Sequence, residues 1–224
     1  MVKLPRRDAV RTIFFAALLI GFGPGLLSAQ GGELAVVKDG QAPHLLHPDP
    51  GFEILSDAGS VVLKDPKETF VVNARPGDNF TLKIRMAIDK PDKAAACLRL
   101  GHGGDSSDFL FSGAHGNFIR PAGAVFFSSR KGAAPEERPT PQFILDGQMF
   151  DVELTYARTG PETADLTVSL NGEPYVQQSG KTPKIDWIGL RPWRSTSLRV
   201  ESMTLEGNFE PGGVEAKFFE PKQP

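Results

Sequence analysis

Apolar and polar residues alternate with a period of two through the middle of this 224-residue chain, and that pattern limits the fold more than any other feature. Phe80, Leu82, Ile84 and Met86 alternate with Thr81, Lys83 and Arg85. Phe150, Val152, Leu154 and Tyr156 alternate with Asp151, Glu153 and Thr155, and Leu166, Val168 and Leu170 with Asp165, Thr167 and Ser169. Successive side chains of a strand point to opposite faces. Each run therefore predicts a half-buried strand, its apolar row on a core and its polar row toward water or a ligand. Shorter candidates cover 52–55, 70–72, 98–100, 109–111, 124–127, 143–145 and 185–190. Asn171-Gly172, between strand-like flanks, predicts a two-residue type I′ hairpin. In the last strand Leu198 and Val200 set one parity and Met203 and Leu205 the other, so a β-bulge is expected near Ser202. No stretch of ten residues carries a clean 3.6-residue period. Short antiparallel strands joined by Gly and Pro loops predict an all-β, two-sheet sandwich, and the lack of an internal repeat argues against a propeller.

The ends read differently. Lys3, Arg6, Arg7 and Arg11 precede an apolar run beginning at Ile13, and Leu27-Ser28-Ala29 offers small residues for cleavage, so 1–29 reads as a secretory signal peptide. The apolar run is broken by Gly21, Gly23, Pro24 and Gly25 and is too short to span about 30 Å of hydrocarbon, which argues against stable membrane insertion after cleavage. The expected location is periplasmic, secreted or cell-surface, in a bacterium. Residues 30–51 read as a linker or irregular lead-in, 52–207 as the sandwich, and 208–224 as a tail in which Phe218-Phe219 straps back onto the domain. Loss of 1–29 takes the chain from 25 basic and 27 acidic residues to 21 and 26, a net charge of −5. A mildly acidic exported protein is ill suited to nucleic-acid phosphates. The single cysteine, Cys97, lies in an apolar run and reads as a core residue rather than a nucleophile.

Both tryptophans of the chain fall in the stretch from Trp187 to Thr196, with Arg191, Pro192 and Arg194 beside them. Aromatic faces flanked by guanidinium groups suit a sugar-binding surface, and Arg191, Trp193 and Arg194 are the candidate ligand-binding residues, expected where a loop joins two strands. The polar stretch 101–108 supplies an opposing wall through His102, Asp105 and Asp108. Its oxygens suggest calcium as the one ion to consider, and no other cofactor or metal is implied. Asp151 and Glu153, two apart on one strand face, are separated by roughly 6.5–7 Å, which falls within glycosidase spacing. They are the candidate catalytic pair, although Met149 stands where the jelly-roll glucanase motif has its first acid. Read as structure, these acids are charges on a solvated strand face, and Trp193 covers a core edge.

Several segments together resemble the concanavalin A-like (laminin-G-like) jelly-roll module found beside sialidase-type propellers in exported bacterial proteins. They are Asp78 to Ile84, Ala95 to Gly101, Phe150 to Leu154, Leu166 to Gly172 and, most specifically, Ile188 to Thr196 followed by Leu198-Arg199-Val200. The 3-keto-disaccharide hydrolase type of jelly roll is a more distant likeness. The resemblance implies a concanavalin A-like jelly roll and a carbohydrate-associated role with a glycan or glycoconjugate partner. Sialidase chemistry does not carry over, because the Ser-x-Asp-x-Gly-x-x-Trp repeats of the propeller are absent. The leading expectation is an exported, non-catalytic carbohydrate-binding domain. A jelly-roll hydrolase using Asp151 and Glu153, and a structural or protein-interaction sandwich without a sugar site, remain the alternatives.

Overall fold

The computed structural model describes residues 31–49, 52–65, 67–89, 95–102, 105–112, 123–128, 136–139, 144, 147–193 and 197–214. Its strands are β1 (Gly31–Val37), β2 (Leu45–Leu46), β3 (Leu55–Asp57), β4 (Ser60–Leu63), β5 (Phe70–Val72), β6 (Ala74–Ile88), β7 (Ala95–His102) and β8 (Asp105–Ser112). They continue with β9 (Gly123–Ser128), β10 (Glu136–Pro139), β11 (Phe150–Arg158), β12 (Thr163–Leu170), β13 (Glu173–Lys181), β14 (Trp187–Trp193) and β15 (Leu198–Pro211). One sheet has the order β13-β12-β11-β6-β15-β4-β3, with β1 also on β15. The other has the order β10-β9-β8-β7-β14-β5-β2. All the described strand pairs are antiparallel. This is an all-β, two-sheet antiparallel jelly-roll sandwich. No helix long and apolar enough to cross a membrane occurs among the described residues.

The alternation sets the interior. Leu82, Ile84 and Met86 of β6 lie opposite Leu154, Val152 and Phe150 of β11, and all six are buried. The second sheet contributes Ala96, Leu98 and Leu100 from β7, Phe109 and Phe111 from β8, and Ile188 and Leu190 from β14 to the same core. Phe111 meets Phe150 across the layers at a centroid distance of 6.2 Å, and Phe80 stacks on Tyr156 at 5.2 Å within one sheet. Burial pushes the Tyr156 phenol up, and its hydroxyl donates to the Pro183 carbonyl at 3.2 Å. The register on β6 slips between Val200 and Ser202, as the parity change predicts. Glu201 is left exposed while Val200 and Met203 both stay buried.

Two expectations about the ends are corrected. Residues 31–37, read as part of an irregular lead-in, form β1 along β15, with Val36 and Val37 fully buried. A register slip between Ala35 and Val37 breaks the alternation that would have revealed the strand. β15 also runs four residues past the expected end of the sandwich, to Pro211, where Phe209 packs into the core. The signal-peptide region and Phe218-Phe219 lie outside the described residues.

Two-residue turns at Ala58-Gly59 and Asn171-Gly172 have positive φ at both positions, 47° and 83°, then 48° and 84°. That is the type I′ geometry whose twist suits a hairpin. A Cβ at Gly172 would meet nothing within 4 Å, so replacing this glycine perturbs the backbone alone. Gly172→Val is expected to lower unfolding stability by about 1–2 kcal/mol in chemical denaturation, and Asn171→Gly to change it far less.

Candidate functional site

The outward face of the eight-stranded sheet is a ladder of exposed ion pairs. Arg85 holds both Asp151 oxygens at 3.0 and 3.1 Å and donates to Glu201 at 2.6 Å. Lys83 reaches both Glu206 oxygens at 2.7 and 2.8 Å and lies directly opposite Glu153 in the register. The Asp151 hydrogen bond raises the Arg85 guanidinium above its ordinary range, and the Glu206 bond does the same for Lys83. Lys83, Arg85, Asp151 and Glu153 line an open depression of about 410 Å³ together with Ser169, Gly172, Ser202 and Thr204. Asp151 and Glu153 do share one face, as alternation requires. That face is open to water, and Asp151 is bound bidentately to a cation. A catalytic acid needs the reverse, an environment that disfavours its charged form.

The outward face of the seven-stranded sheet has another character. β14 presents Trp187, Gly189, Arg191 and Trp193, whose register partners on β7 are Gly101, Arg99, Cys97 and Ala95. β8 adds Ser106, Asp108 and Leu110 opposite Gly101, Arg99 and Cys97. Trp193 is half-buried and packs on a small apolar cluster of Ala95, Cys97 and Leu110, separate from the main core. The Arg191 guanidinium carbon lies 5.3 Å from the Trp193 ring centroid, within cation–π reach.

Further along the strand, Trp187 lies on Gly101 so closely that a Cβ at position 101 would overlap the indole. At Gly189 a Cβ would sit 2.5 Å from Thr69 Cγ2 and 2.9 Å from the Phe70 carbonyl oxygen. Both glycines are therefore required by what lies on them. Arg99, centred 5.9 Å from the Trp187 ring, is fixed by three partners. Its Nε donates to Asp108 at 3.0 Å, one terminal nitrogen to Thr69 Oγ1 at 3.1 Å and the other to Ser106 Oγ at 2.9 Å. Both ion-pair partners are mostly shielded from solvent, with side-chain exposures of 23% and 16%. Such a fork is far more rigid than the exposed pairs of the opposite sheet.

The structure brings Arg191, Trp193 and Asp108 onto this one face. Arg191 and Trp193, expected in a loop, belong to β14, of which Trp193 is the last residue. Each residue of the Arg-Pro-Trp stretch has a partner on β7, and Pro192, opposite Ala96, is buried. The stretch 101–108 is likewise not an open loop, since strand pairing continues to His102 and Asp105. His102 therefore falls on the inward side with Leu98 and Leu100, where its Nε2 lies 3.2 Å from Ser107 Oγ. It does not join the outward residues. The Asp105 side chain and the whole of Arg194 lie outside the described residues. Among the described residues no three His, Cys, Asp or Glu side chains converge as a metal site. Arg99 and Trp187 were missed as site residues. Arg99 had a legible signal, a cation between Leu98 and Leu100 in an alternating run. Thr69 had none.

No family model matches this sequence, and no curated protein does. Solved structures share the fold at low identity. The carbohydrate recognition domain of Emp47p superposes with a TM-score of 0.56 at 11% identity, covering 78% of this chain and 95% of that one. The carbohydrate binding module CBM66 from Bacillus subtilis gives 0.53 at 10% identity, with coverages of 73% and 95%. The Crh5 transglycosylase, solved in complex with NAG, gives 0.58 at 8% identity, with coverages of 80% and 85%. What these structures share with this chain is the two-sheet jelly-roll fold.

Cys97 sits beneath Trp193, fully buried, and burial pushes its thiol up, with Asp108 adding to the effect. Native protein is expected to react negligibly with Ellman's reagent at neutral pH. One thiol should be released at once in denaturant.

Proposed function

We propose that this chain is an exported, non-catalytic carbohydrate-binding domain that holds its ligand on the outward face of the seven-stranded sheet. Arg191 and Trp193 form the centre of the site, Arg194 lies next in sequence, and Asp108 acts through Arg99. The supporting observation is the pairing of an indole with a guanidinium on this face. An indole accepts the C–H face of a pyranose, while guanidinium donors reach ring hydroxyls or a carboxylate, and both remain rigid on a strand. The opposite face offers acids already matched to cations, which suits solubility better than glycoside cleavage. No observation favours hydrolysis by Asp151 and Glu153.

The carbohydrate recognition domain and the carbohydrate binding module named above support the reading through their shared fold. The likeness of the stretch Ile188 to Thr196 to sialidase-associated jelly rolls suggests an accessory role beside a separately encoded enzyme. Export to the periplasm or cell surface fits the basic and apolar start of the chain.

Glycan-array screening followed by titration tests the proposal. Trp193→Ala is expected to weaken binding about tenfold or more, equivalent to about 1.4 kcal/mol, with a far-ultraviolet spectrum like that of the parent. Glu153→Gln should bind as the parent does. Unchanged affinity in Trp193→Ala would remove that indole from the site.

A further inference from the structure

We infer that the site takes a linear oligosaccharide lying along β14 across two aromatic platforms, rather than a single sugar. The inference rests on the carbohydrate-binding reading and extends it to the class of ligand. Its basis is the spacing of residues along one strand face.

Trp187 and Trp193 lie on the same strand and the same face, six residues apart. At the rise of a strand their attachment points are separated by about 20 Å. That separation is several times the width of one pyranose ring. Between them Gly189 has no side chain, and the Thr69 methyl and the Phe70 carbonyl fill the space a Cβ would take, so the floor there is made by Thr69. Arg191, the other residue in the interval, leans over Trp193 instead of standing between the rings.

Arg99 is the register partner of Gly189, so its guanidinium lies beside the interval between the two platforms. Among the described residues three of its five N–H donors go to Asp108, Thr69 and Ser106, which leaves two for hydroxyls of a sugar in the middle of the oligosaccharide. The order along the face is therefore indole, fixed guanidinium, cation, indole. A stacking surface at each end with oriented donors between suits an extended chain of pyranoses, because each platform contributes only when a sugar ring reaches it. Gly101 belongs to the same arrangement, since a Cβ there would overlap the Trp187 indole.

Oligosaccharide ladders test this with the full-length protein. Cellulose, chitin and alginate ladders, from monosaccharide to hexasaccharide, are titrated calorimetrically against the parent, Trp187→Ala and Trp187→Phe. For a ladder that binds, affinity should rise at least tenfold from disaccharide to hexasaccharide. Trp187→Ala should abolish that rise, and Trp187→Phe should keep part of it. Thermal melts establish that each variant is folded. Equal affinity for short and long members, or a hexasaccharide indifferent to Trp187→Ala in a folded variant, would overturn the inference and leave the carbohydrate-binding reading standing. Failure of every ladder to bind would remove both.

Discussion

In a two-layer sandwich the pleat commits every second side chain to a shared interior, so a strand has only one row left with which to meet the outside. Here the inward rows are nearly uniform, built from Leu, Ile, Val, Met and Phe from both sheets. The outward rows differ. One carries acids and bases matched across neighbouring strands, and the other carries indoles, guanidiniums and glycines. The proposed division of labour between the two sheets rests on that difference.

The two faces also differ in rigidity. Exposed pairs such as Lys83 with Glu206 are screened by water and add little to stability. The Arg99 fork is held on three sides and largely shielded, and the Trp187 ring is seated by a glycine beneath it. Preorganised groups lose less freedom when a ligand arrives, which is why rigid elements make better recognition surfaces than mobile loops. Cys97 fits the same picture. Its buried thiol is part of the packing beneath Trp193.

Much of this was legible in the sequence, for a local reason. Strands such as β6, β11 and β12 alternate cleanly, and the bulge near Ser202 showed as a change of parity. The Asn171-Gly172 turn followed from two residues that tolerate positive φ. β1 was not legible because its own bulge scrambles the pattern, and β4 because all four of its residues are buried. The site was only half legible. Arg191 and Trp193 could be chosen from composition, but their placement inside a strand depends on pairing with β7, which no local pattern encodes. His102 was assigned to the wrong side because the hairpin continues two residues further than its glycines suggest. Thr69, just before β5 and thirty residues from Arg99, meets it only through the topology.

The central claim is that recognition belongs to the tryptophan face and not to the charged face. The most direct measurement is a nitrogen–proton correlation spectrum recorded while the tightest-binding hexasaccharide of the three ladders is added. The chain has two tryptophans, so two indole N–H signals report the face. Both indole signals should shift, while the backbone amides of Lys83, Arg85, Asp151 and Glu153 stay in place. Shifts concentrated at those four amides, with both indole signals unmoved, would contradict the account.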